Sequence, residues 1–170
     1  MIIIVEGPNN VGKTSFINKL LNDPNFEQYQ VEHVGSKCPN DLAFHRNFLE
    51  YYDNLILDRF YVGETIYPQL YGREAKLTVD DLSDLVKEFE NKVVHVFVDA
   101  DIEFIAKAYK NKDEEPDWEF IYKERNMFNN RFKSLRSLGV RCEKLTHRLV
   151  ELYSNDVSDE SMIEWLTIQA

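Results

Sequence analysis

The sequence predicts an α/β fold, a parallel sheet with helices on both faces, and three observations carry that expectation. Continuous apolar runs recur at Ile2-Ile3-Ile4-Val5, Leu55-Ile56-Leu57 and Val93–Val98. Short runs of this kind mark strands buried on both faces. Helical stretches lie between them, and strands alternating with helices imply parallel pairing. The runs end at Glu6 before a glycine-rich loop, at Asp58 and at Asp99. Chemically useful groups thus collect at the strands' carboxyl ends, where such sheets bind ligands.

The elements follow in order. Strand 2–5 leads through the loop into a helix at 12–22. A weaker strand spans Tyr29–Val34, followed by a helix at 41–52. Strand 55–57 ends at Asp58, and helices follow at about 62–72 and 79–90 by the apolar spacing. Strand 93–98 ends at Asp99, the expected N-cap of a helix at 101–110. A long helix at 117–136 carries the stripe Trp118, Ile121, Phe128, Phe132 and Leu135, with Arg125 in its gap. Gly139 is its expected stop. Val140–Leu145 and Leu149–Tyr153 compete for the last strand; Leu149–Tyr153 is favoured. A final helix at 159–168 is capped by Ser158 or Asp159.

With 170 residues the chain suits one domain with a sizeable core. Its 44% hydrophobic and 13% aromatic content exclude a disordered segment. A net charge of −10 argues against general affinity for nucleic acid or anionic membrane. Cys38 and Cys142 form no CxxC pattern, which fits free thiols in a reducing cytosol. The chain enters its first core strand at once, so no signal peptide is expected, and the expected location is cytoplasmic. No apolar run approaches membrane-spanning length.

The sharpest motif is Gly7-Pro8-Asn9-Asn10-Val11-Gly12-Lys13-Thr14, followed by Ser15. This is G-x-x-x-x-G-K-T between a strand and a helix, the P-loop context. Gly7 and Gly12 let the backbone curl so that successive N–H groups face one anion. The helix N-terminus adds partial positive charge. Lys13 is placed to reach the β- and γ-phosphates of ATP, and the Thr14 hydroxyl to hold Mg²⁺.

A second motif, Asp58-Arg59-Phe60 followed by Glu64 and Tyr67, closes the third strand. Together with Val5-Glu6-Gly7 and Val96-Phe97-Val98-Asp99-Ala100, it makes residues 1–135 resemble the thymidylate kinase and deoxynucleoside kinase group of P-loop kinases. The best fit is to the compact thymidylate kinase-like proteins of phages. The resemblance implies a three-layer P-loop kinase fold with five parallel strands, and a helical lid near 105–125. It implies transfer of the γ-phosphoryl group of ATP to a deoxynucleoside or its monophosphate, the monophosphate being favoured, and family members are often homodimers. Asp58 takes the place of the acidic group near Mg²⁺ and Arg59 that of the phosphate-binding arginine. Glu6 matches the glutamate that serves deoxynucleoside kinases as catalytic base.

Two departures stand out. Asn9 replaces an aspartate that in thymidylate kinases helps hold the acceptor sugar. Lys107, Lys110 and Lys112 stand where the lid normally carries arginines, and lysine cannot make the bidentate phosphate contact.

Further candidates are Arg125, as a lid cation or a structural pair, and Tyr67, Arg73 and Arg46, as acceptor-binding residues. Tyr61, Tyr67 and Tyr71 either stack on a base or fill the core. The partner class is a small nucleotide or nucleoside. A nucleoside kinase, a kinase acting on a modified base or end of DNA, and a nucleotide-binding regulator remain as alternatives. No Asn-Lys-x-Asp segment supports a GTPase.

Overall fold

In the computed structural model, which describes residues 1–34, 38–148 and 158–169, the central strand β1 (Ile2–Glu6) is buried along its whole length. Ile2 and Ile4 join one apolar cluster, and Ile3 and Val5 join another. Successive side chains of a strand point to opposite faces, so both faces of this sheet are covered. The other strands are β2 (Gln30–Glu32), β3 (Leu55–Asp58), β4 (Val93–Ala100) and β5 (Cys142–His147). All pairs are parallel, in the order β2-β3-β1-β4-β5. The register sets Val5 beside Asp58, Glu6 beside Phe97 and Ala100 beside His147, which brings the carboxyl ends to one edge.

The helices are α1 (Lys13–Leu21), α2 (Leu42–Tyr51), the single turns α3 (Tyr61–Glu64) and α4 (Tyr67–Leu70), α5 (Val79–Glu88), α6 (Ile102–Asn111), α7 (Trp118–Ser137) and α8 (Asp159–Gln169). Leu49 of α2, Leu82 and Leu85 of α5, and Phe128 and Phe132 of α7 cover the Ile2/Ile4 face. Phe16 and Leu20 of α1, Ile105 of α6, and Met162 and Leu166 of α8 cover the other. This is the α/β fold of P-loop kinases, with helices flanking a five-stranded parallel sheet.

Two local expectations are corrected. The helix at 62–72 is two turns, because Pro68 lacks the N–H that would bond back to Glu64. The cap of α6 is Asp101, whose Oδ1 accepts from the Phe104 N–H at 2.7 Å; Asp99 lies inside β4. Among the described residues the last strand is Cys142–His147, at the competing segment; the favoured Leu149–Tyr153 lies outside the described residues. β5 is an edge strand whose burial is confined to Cys142 and Leu145. A search for continuous apolar runs therefore undervalues it. Gly139 does follow α7 with φ 76°, and Ser158 caps α8 by accepting from the Ser161 N–H. Among the described residues no helix is long and apolar enough to cross a membrane.

Candidate active site

The loop between β1 and α1 is pressed against its neighbours so closely that two positions require glycine. Gly7 has φ 147°, and a Cβ there would lie 2.0 Å from the Val98 carbonyl oxygen of β4. Gly12 has φ 92°, and a Cβ there would lie 2.5 Å from His147 Nδ1. The ammonium of Lys13 is buried and donates to the carbonyl oxygens of Gly7, at 2.9 Å, and Pro8. Burial and the Arg59 charge pull its pKa down to about 8, against the opposing pull of Asp58, Glu6 and Glu124. A cation poised this way gains most when an anion enters beside it.

A cavity of about 520 Å³ opens over this loop, lined by Asn9 to Ser15, Asp58, Arg59, Phe104 and Lys112 among others. Lys112 donates to Asn10 Oδ1 at 2.7 Å, so the end of α6 touches the loop. Lys107 and Lys110 are exposed and do not line the cavity. Asp58 Oδ1 is buried without a hydrogen-bond partner among the described residues. With the Thr14 hydroxyl on the same wall, it suits a hard cation that takes its other ligands from phosphates. Among the described residues no cluster of three metal-ligating side chains exists, so protein groups alone would not hold the metal.

A second cavity, of about 270 Å³, adjoins the first and is lined by Phe60, Gly63, Glu64, Tyr67, Tyr71 and Arg73 among others. Asn9, His33 and Arg59 line both cavities. Arg59 has φ 68°, an uncommon conformation for a side chain of this size and one concentrated at functional sites. Its guanidinium sits 5.5 Å from the centre of the Tyr67 ring and donates to Asn9 Oδ1.

The sequence reading missed the partner that orders this wall. Glu124 of α7 is 1% exposed. Its carboxylate accepts from the Asn9 N–H at 3.1 Å, from Asn9 Nδ2 at 2.8 Å and from the Tyr67 hydroxyl at 3.0 Å. Burial raises its pKa, against the Asn9 and Tyr67 hydrogen bonds and the charges of Lys13 and Arg59. The Asn9 amide thus turns its nitrogen to a carboxylate and its oxygen to a guanidinium. An aspartate at position 9 would set two carboxylates side by side, which is a physical reason for asparagine here. The signal was present in the stripe: position 124 lies three residues after Ile121 and four before Phe128.

Arg125, set in that gap by the sequence reading, faces elsewhere. It makes a two-point contact with Asp99 (Nε–Oδ1 2.9 Å, Nη2–Oδ2 3.2 Å), and Lys144 adds a third at 3.0 Å. Burial alone would raise the Asp99 carboxyl; the Arg125 hydrogen bond and the Lys144 and Arg125 charges outweigh it and hold the carboxyl below its ordinary value. Arg125 is therefore a structural ion-pair residue and lines neither of the two cavities. Arg125→Ala is expected to cost roughly 2–3 kcal/mol of stability, less than a fully buried pair because Lys144 remains. Melting curves check this; an unchanged midpoint with lost turnover would restore the lid role. Because the folded pKa is depressed, this stabilisation is present above the ordinary carboxylate value of about 4 and fades as pH falls below it.

Arg46 is likewise not brought to the site: its Nε donates to both oxygens of Glu88, at 3.1 and 2.9 Å. Tyr61 is fully buried, its hydroxyl 2.7 Å from His95 Nε2, whereas Tyr67 and Tyr71 line the second cavity. Glu6 is fully buried. Its Oε1 accepts from the N–H groups of Phe60 (2.8 Å) and Gly63 (3.4 Å), and its Oε2 has no partner. Burial pushes its pKa up to about 7, although the Phe60 N–H and the Arg59 charge pull the other way. His147, also missed, braces the loop: Nδ1 lies 2.6 Å from the Val11 carbonyl oxygen and Nε2 lies 2.9 Å from Asp159 Oδ1. Nothing in its local sequence announced that contact, which depends on where β5 ends.

No protein-family model matches the chain, and no curated protein does. Solved structures do. The YorR protein of Bacillus subtilis, in complex with phosphorylated GDP, superposes with a TM-score of 0.67 at 17% identity, covering 99% of this chain and 94% of that one. Deoxyadenosine kinase from M. mycoides with bound dCTP gives 0.59 at 12% identity, covering 99% and 98%. Thymidylate kinase from Ehrlichia chaffeensis gives 0.52 at 18% identity, covering 99% and 95%. At such identities the likeness is one of fold, and in fold this chain is structurally similar to the P-loop nucleotide kinases.

Proposed function

We propose that the chain is an ATP-dependent kinase whose acceptor is a deoxynucleoside monophosphate. The observation that carries the reading is Arg59, which lines both the phosphate-loop cavity and the neighbouring one. A fixed cation between donor and acceptor is what phosphoryl transfer requires, since catalysis there is mostly positioning and charge stabilisation. MgATP, when bound, would supply the phosphoryl group and a divalent cation that offsets charge on the phosphates. The backbone N–H groups of the Gly7–Thr14 loop and the Lys13 ammonium hold the phosphates. Thr14 and Asp58 would hold the metal. Arg59, aimed by Asn9 and the Tyr67 ring, orients the acceptor phosphate, with Arg73 beside the Tyr71 ring in the same cavity. The α6–α7 connection, through Lys112, acts as the lid that excludes water.

A nucleoside acceptor is the second reading, favoured by Glu6 with its unpartnered oxygen and pKa near neutrality. It ranks lower because Glu6 is fully buried and lines neither cavity. ADP release from ATP and each nucleoside and monophosphate tests both. Transfer is expected to fall to background in excess EDTA; full activity there would refute the metal-assisted reading.

A further inference from the structure

The second cavity holds a carboxylate that feels the charges of Arg73 and Lys76 yet is held by neither. Glu64, at the end of α3, is half-buried and has no hydrogen bond or ion pair among the described residues. Arg73 stands in the same cavity wall, its guanidinium 5.2 Å from the centre of the Tyr71 ring and without a side-chain hydrogen bond among the described residues. The two also line an adjoining cavity of about 170 Å³, which extends the space beyond the first. Tyr67 and Tyr71 stack beside them, 18° from parallel with centres 6.1 Å apart. An aromatic wall with unpaired polar groups at its rim is suited to a planar base. Arg59 lies in the same cavity, so a phosphate there leaves Glu64 and Arg73 for the other end of the ligand.

We propose that Glu64 and Arg73 read a guanine base, making the acceptor a guanine nucleotide; this rests on the second cavity being the acceptor site. A carboxylate only accepts hydrogen bonds. Guanine alone among the common bases presents two adjacent donors on one edge, N1–H and the N2 amino group. Adenine and cytosine set a ring-nitrogen acceptor beside their amino group, and thymine flanks its single N–H with two carbonyls. Each would turn an acceptor towards the Glu64 carboxylate. The neighbouring edge of guanine, O6 and N7, is a pair of acceptors matched to an arginine fork.

The test uses the full chain with Mg²⁺ and ATP, and dGMP, dAMP, dCMP, dTMP and dIMP as acceptors. Binding is read by calorimetry and turnover by ADP release. dGMP is expected to exceed the other three common nucleotides at least tenfold in affinity. dIMP, which lacks only the N2 amino group, is expected to lose about tenfold, the cost of one hydrogen bond to a charged group. Glu64→Gln is expected to erase the preference at an unchanged melting temperature. Equal binding of dGMP and dTMP, a preference for another base, or a guanine preference that survives Glu64→Gln would overturn the assignment. If the variant fails to fold, the dIMP comparison on the unaltered chain decides. Guanine-selective binding without ADP release would refute the monophosphate-kinase reading and leave the base assignment standing. ADP release with no base preference would do the reverse.

Discussion

Lys13→Ala is expected to lower phosphoryl transfer by at least about a thousandfold, with the fold retained. The size follows from the chemistry: charge develops on the transferred group, and a single cation set against such charge, as an arginine finger is, carries factors of about 10³–10⁵. Fold retention follows from the contacts. Among the described residues the Lys13 ammonium donates to the Gly7 and Pro8 carbonyls alone, both in the loop itself, while α1 keeps Phe16, Ile17 and Leu20 in the core. Steady-state turnover together with circular dichroism checks both halves. Near-normal turnover would remove the phosphate-loop assignment. The unaltered protein before nucleotide binds should also lose its Lys13 charge as pH rises through about 8, which predicts weaker ATP binding on the alkaline side.

The second large effect separates the two acceptor classes. A monophosphate has a second pKa of about 6 and needs cations more than a base at neutral pH. Arg59→Ala should then raise the acceptor KM strongly and lower kcat, while Glu6→Gln costs comparatively little. A nucleoside hydroxyl needs its proton removed, so Glu6→Gln would be the crippling change. The pH profile adds an independent reading. A base with the pKa of Glu6 loses rate as pH falls through about 7, whereas a monophosphate acceptor loses it nearer about 6. If only Glu6→Gln is inactive and the acid limb falls near 7, the monophosphate reading is wrong. Glu124→Gln belongs in the same series. It keeps the shape of the side chain but loosens Asn9 and Tyr67, and through them Arg59, so kcat should fall and the acceptor KM rise, with a smaller loss of ATP affinity because Asn9 also belongs to the phosphate loop.

By itself the sequence determined the glycine-rich loop between β1 and α1, the sheet edge where the strands' carboxyl ends gather, and the type of nearly every described element. These are local properties: continuous apolar runs, helical spacing, and glycines where the backbone must curl. Tertiary structure decided the rest, because each missed fact is a contact across many residues. Glu124 reaches Asn9 over 115 positions, and Arg125 beside it turns to Asp99 instead. Adjacent residues on a helix face directions about 100° apart, so one step in sequence separates the Asn9–Tyr67 network beside the two cavities from a structural ion pair. Spacing alone allowed either residue to fill the stripe. Only the packing of α7 against β4 and the loop chose Glu124 for the site.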